Sequence, residues 1–122
     1  MTQTTDATAL DTVLAYHQAW TSGDIDRAMT MVADDIVCRA PGEELNGKEA
    51  YRDYLAAFAP MLTGLTDVGN LADGDHVALF YYPHTAVTST AAAAEHFTVR
   101  DDLITESVLV FDRLSFAPPN QR

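Results

Sequence analysis

Cysteine is almost missing: Cys38 stands alone among 122 residues, so no disulfide can form within the chain. Cationic side chains are scarce as well, seven Lys and Arg against 18 Asp and Glu, for a formal charge of −11. That field repels phosphate backbones and anionic lipid, which argues against nucleic acid as a partner. No apolar run approaches the roughly 20 residues needed to span a bilayer. The opening "MTQTTDATALD" lacks the basic and apolar blocks of a signal peptide, and a cytoplasmic chain away from the membrane is expected. His17, His76, His84 and His96 form no i, i+4 pair and no H-E-x-x-H arrangement, so no metal site is expected. Neither a glycine-rich phosphate cradle nor a G-x-S-x-G elbow occurs, which leaves nucleotide cofactors and serine hydrolysis without support; no cofactor is expected.

What is present is ordinary for a globular protein: 48% apolar and 20% charged residues in a length suited to one domain. One domain over 1–122 is expected, with 1–8 and 117–122 as flexible ends. From Leu10 to Trp20 the positions Val13, Tyr16, His17 and Trp20 form the stripe of an amphipathic helix. Gly23 stops it, and Asp24 can cap a second helix with stripe Ile25, Ala28, Met29 and Val32. "DDIVCRA" reads as a strand closed by Pro41-Gly42. After a polar loop, Asn46 and Glu49 resemble a capping pair opening a third helix, with Tyr51, Tyr54, Leu55, Phe58 and Leu62 on one face and Pro60 ending it. The remainder reads as consecutive antiparallel strands: "LTDVGNLA", "HVALFYY", a loosely defined "TAVTSTAAAA", "EHFTVR" and "ITESVLVF", with turns at "DGD" and "DD".

Helices followed by a curved antiparallel sheet imply an α+β domain whose helices cover one face. "HVALFYY" and "SVLVF" are apolar on both faces, which suggests that one lines a cavity and the other is buried by helices or a second chain, a homodimer. The order of elements, with "AWTSGDIDRAMTMVADDIV", "LNGKEAYRDYLAAF" and "ITESVLVFD", resembles the SnoaL-like branch of the nuclear transport factor two-like superfamily, the cone-shaped α+β barrels. The resemblance covers nearly the whole chain. It implies a three-helix roof over a curved sheet, and it leaves activity open, because the superfamily includes ketosteroid isomerases, polyketide cyclases, epoxide hydrolases, dehydratases and scaffolds.

Three positions of the isomerase branch can be carried over. Tyr16 matches the first-helix tyrosine, Glu95 falls where the isomerase keeps a protonated aspartate, and Ala40 falls where it keeps its catalytic base. The donors survive and the base is missing, which speaks against an ordinary ketosteroid isomerase. The epoxide-hydrolase reading drops too, because Arg100, Asp101, Asp102 and Asp112 lie in the last turn or on the parity away from the cavity.

Glu95 shares strand parity with Phe97 and Val99, so it should project into an apolar cup with a raised pKa and serve as proton donor or shuttle. A one-residue slip would turn His96 inward instead. Tyr16 is either a ligand contact, directly or beside Glu95, or a core tyrosine bonded to backbone. His84, on the face of Phe80 and Tyr82, is a candidate replacement base, although Pro83 before it can change the facing. Trp20, Tyr54, Phe58, Phe80, Tyr82, Phe97, Leu109 and Phe111 read as packing that also lines the cup, and Cys38 and Ala40 as its wall. The expected partner is a small hydrophobic molecule, and the expected function is cofactor-independent acid/base chemistry, an isomerisation, cyclisation or dehydration of a carbonyl-containing metabolite. The alternative is a binding protein or dimeric scaffold without catalysis.

Overall fold

The computed structural model describes residues 8–117. The ends expected to be flexible therefore lie outside the described residues, save Thr8 and Ala117. Thr8 caps helix α1 (Ala9–Thr21) in a reciprocal box with Asp11, each side chain meeting the other's backbone N–H. The corner follows as expected: Gly23 takes φ +91°, and the Asp24 side chain accepts from the Arg27 N–H to start α2. Helix α2 (Ile25–Met29) is shorter than its stripe predicts, because Val32 belongs to strand β1 (Val32–Ala40) and pairs with Ile104 far along the chain. A tertiary ladder overrides the local helical period there.

Gly42 turns β1 into a short strand β2 (Glu43–Asn46), a hairpin where a polar loop is expected. Helix α3 (Lys48–Phe58) starts at Gly47, at φ +96° and without a side-chain cap, so the expected Asn46–Glu49 capping pair does not form. The Asn46 amide reaches Glu44 instead. Pro60 ends α3 in one 3₁₀ turn, Ala59–Met61. The long strands follow: β3 (Gly64–Asp73), β4 (His76–His84), β5 (Ala93–Arg100) and β6 (Leu103–Val110), then a single helical turn, α4 (Arg113–Phe116), that the sequence reading lacks.

The six strands form one curved, unclosed sheet in the order β2-β1-β6-β5-β4-β3, antiparallel except that β1 and β6 run parallel. The loop at 85–92 replaces the loosely defined strand. Helices α1 and α3 lie across the inner face, where Val13, Tyr16, Trp20, Tyr51 and Leu55 meet Ile36, Val77, Leu79, Phe97 and Ile104 in one core. On the outer face Leu71, Phe80, Val108 and Val110 remain exposed, Leu71 by 69% and Val110 by 59%. No helix among the described residues is long and apolar enough to cross a membrane.

Candidate functional site

Between the C-terminal end of α1, the inward face of α3 and strands β4 to β6 lies a narrow, partly open hollow. Its wall contains seven aromatic residues, Trp20, Tyr51, Tyr54, Phe58, Tyr81, Phe111 and Phe116, and one ionisable acid, Glu95. Its free volume is about 30 Å³, room for about two or three water-sized groups while the walls stay in place. Each helix supplies its part through periodicity: Trp20 is one turn beyond Tyr16 on α1, and Tyr51, Tyr54, Leu55 and Phe58 form the inner stripe of α3.

Glu95 is 3% exposed and points inward with Phe97 and Val99, as strand alternation predicts. Its Oε1 accepts a 2.7 Å hydrogen bond from the Tyr81 hydroxyl. Burial pushes the carboxyl pKa up to about 7, with the Tyr81 bond opposing the rise. Burial also raises the phenols of Tyr16, Tyr51 and Tyr81 well above their usual value and Tyr54 to about 12, and the Glu95 charge adds to the rise at each. The site therefore holds neutral phenols around an acid that exchanges its proton near neutrality.

Tyr16 is fully buried, but it stands behind the wall rather than on it. Its hydroxyl pairs with that of Tyr51, and its ring meets Phe97 edge-on at 5.6 Å. The phenol bonded to Glu95 is thus Tyr81, which the sequence reading placed on the opposite face. The facing of β4 is the reason: Val77, Leu79 and Tyr81 are buried, and Leu79 sits directly across from Glu95. Phe80 and Tyr82 consequently lie on the outer face and do not line the hollow. His84 is removed from it too, its Nε2 bonded to Thr66 Oγ1 at 2.9 Å.

Trp20, Tyr54, Phe58, Leu109 and Phe111 do line the hollow. Cys38, Ala40 and Phe97 are on the inner face, packed in the layer around it rather than at its surface. Burial raises the Cys38 thiol to about 11, the nearby Ser107 hydroxyl opposing, so no thiolate is available as a nucleophile. Arg39 points outward to Glu44 and Glu106. Tyr51 and Leu55, expected on the inner stripe of α3 but not as cup residues, also line the hollow, and so do Tyr81, Pro83, Ala93 and Phe116, which carry no such expectation. Glu95 facing inward forces Leu79 and Tyr81 inward once the β4–β5 register is known. That register spans an eight-residue loop, 85–92, and carries no local sequence signal.

Trp20 adds a buried indole N–H with no hydrogen-bond partner among the described residues. His17, next to it on α1, packs against the Tyr81 ring at 4.8 Å and stands 3.5 Å from Asp67 on β3. Burial lowers its pKa, and Asp67 opposes the shift. Among the described residues no three His, Cys, Asp or Glu side chains converge as metal ligands would.

Residues 13–107 match the model of the SnoaL-like domain. The chain belongs to this family. Among solved structures the SnoaL-like chain is similar to a "known function protein" from Kribbella flavida DSM 17836, at 41% identity over 91% of this chain and 92% of that one, with a TM-score of 0.86. It is also similar to a Catenulispora acidiphila DSM 44928 protein with a ketosteroid isomerase-like fold, solved in complex with trimethylamine. That likeness amounts to 23% identity over 86% of this chain and 88% of that one, with a TM-score of 0.69. TerC, co-crystallised with polyporic acid, shares 20% identity over 90% of this chain and 95% of its own, with a TM-score of 0.72. The last two likenesses establish the fold alone. No curated protein matches the SnoaL-like chain.

Proposed function

We propose that the hollow binds a small carbonyl-containing molecule and that Glu95 supplies a proton to it, in a cofactor-independent isomerisation, cyclisation or dehydration. The observation that carries this reading is the Tyr81–Glu95 hydrogen bond inside an aromatic wall. A carboxyl group with a pKa near 7 is matched to proton transfer at neutral pH. Tyr51 takes the polarising part first expected of Tyr16. Either hydroxyl of the Tyr16–Tyr51 pair can donate; in the arrangement where Tyr16 donates, the Tyr51 proton is free to meet a ligand oxygen. The trimethylamine of the Catenulispora protein and the polyporic acid of TerC support small-molecule binding in general.

The test begins with a metabolite screen by thermal shift, because a ligand that binds only the native state raises its apparent stability. Turnover of the hit by wild type is then compared with Glu95→Gln and Tyr51→Phe. Loss of one such donor should lower kcat by about 10²–10³. Unchanged turnover in both variants would overturn the catalytic reading.

A second reading, binding without catalysis, draws on Ala40, which supplies no base on the inner face, and on the narrowness of the hollow. Retained affinity with no turnover in wild type would favour it. For either reading we also propose a homodimer through the outer sheet face, on the strength of the exposed Val68, Leu71, Phe80, Val108 and Val110.

A further inference from the structure

The wall of the hollow is unusual in its charge balance. Glu95 is the one ionisable acid on it, and no Lys, Arg or His side chain lines it to act as counter-ion. Among the described residues Tyr81 alone donates a side-chain hydrogen bond to this carboxyl, whereas an ionised carboxylate offers about four acceptor sites. An ionised carboxylate enclosed by carbon is costly unless a cation joins it. The surrounding rings attract cations through the negative potential of their faces, and seven aromatic residues surround one acid here. The formal charge of −11 also draws cations toward the protein.

From this juxtaposition we infer that the hollow takes a compact organic amine, held as an ammonium between the Glu95 carboxylate and the faces of Trp20, Tyr54, Phe58, Tyr81 and Phe111. The inference rests on the reading of the hollow as a ligand site, and it names a ligand class for it. The narrow free space limits the amine to a few heavy atoms. The proton balance is simple. A neutral amine takes the Glu95 proton, so one O–H bond breaks and one N–H bond forms. An amine arriving as ammonium requires Glu95 to release its proton to water. The groups around Glu95 are the phenols of Tyr16 on α1, Tyr51 and Tyr54 on α3 and Tyr81 on β4, and the Cys38 thiol on β1, all with raised pKa values; His17 on α1, behind the Tyr81 and Trp20 rings, has a lowered one, so of these groups Glu95 is the one brought up to neutrality. The proton proposed to reach a substrate oxygen is the one an amine would take, so amine and carbonyl ligand exclude each other.

The test is calorimetric titration of the full chain with trimethylamine hydrochloride at pH 6 and pH 8, alongside tert-butanol, a neutral molecule of nearly the same shape. The expected result is amine affinity about tenfold higher at pH 8, following the ionised fraction of one carboxyl of pKa about 7. Weaker, pH-independent binding of tert-butanol and loss of amine binding in a folded Glu95→Gln complete it. Equal affinity for tert-butanol and the amine, or amine affinity that does not rise with pH in wild type, would overturn the inference, and neither measurement depends on the variant. If a carbonyl ligand from the screen binds and the amine does not, this inference falls and the proposed function stands. If neither binds, both fall.

Discussion

The Tyr81 hydroxyl donates across 2.7 Å to Glu95 Oε1, joining β4 to β5 inside a wall of aromatic carbon. That bond favours the ionised carboxylate while burial opposes it, and burial wins, leaving the pKa at about 7. A side chain that would be charged throughout the neutral range in water is held at the midpoint of its titration.

Stability should therefore depend on pH through Glu95. Its folded-state pKa lies above the unfolded value near 4.5, so below about pH 4.5 the group adds no penalty. Between pH 4.5 and 7 the native state binds the extra proton, and stability falls as pH rises; above pH 7 the full cost remains, on the order of 3 kcal/mol. Glu95→Gln, which still accepts from Tyr81, should flatten this dependence and be the more stable protein at pH 8. Urea unfolding of both proteins at pH 5 and pH 8 checks the sign.

Tyr16 and Tyr51 act as a pair and should be tested as one. Replacing Tyr51 by Phe leaves the Tyr16 hydroxyl buried without its partner, at a cost of about 1–3 kcal/mol; Tyr16→Phe should cost less, because Ser107 also lies beside the Tyr51 hydroxyl. The double variant should lose less than the sum of the two single losses, and a thermodynamic cycle from denaturant melts measures the difference. Tyr16→Phe should also weaken ligand binding less than Tyr81→Phe, because Tyr81 reaches the hollow and Tyr16 does not.

Cys38 should be inert while the chain is folded. Its thiol is fully buried, and the pKa of about 11 leaves almost no thiolate at pH 8. A thiol reagent at pH 8 should label the native protein only at the rate of unfolding, and label it at once in 6 M guanidinium. Prompt labelling of the native state would contradict the packing of β1 against β6.

The outer sheet face offers a test of the proposed homodimer. Phe80→Glu combined with Val110→Glu places charge amid Val68, Leu71 and Val108 without touching the core. Sedimentation should show a dimer for wild type and a monomer for the double variant, with Tm of the isolated fold little changed. A monomeric wild type would remove the dimer.

Legibility of the sequence varied with how one-sided each segment is. Glu95 was readable because Phe97 and Val99 share its parity and polar residues alternate with them. The corner Gly23-Asp24 was readable because a positive φ and a cap require those residue types locally. "HVALFYY" was not, because both of its faces are apolar and alternation cannot say which one points inward; the outer choice put Phe80, Tyr82 and His84 where Val77, Leu79 and Tyr81 belong. The capping pair at Asn46 and Glu49 failed because Asn46 is held in the β1–β2 ladder opposite Val37.

Local chemistry in the chain determined the stripes of α1 and α3, the tight turns, the α+β class and the inward carboxyl at 95, since each depends on neighbours a few residues away. Only tertiary structure decided the parallel join of β1 to β6, the facing of β4, and the exchange of Tyr16 for Tyr81 as the phenol on Glu95. Those outcomes depend on pairings across long loops, where shifting the register by one residue turns every side chain of a strand to the other face.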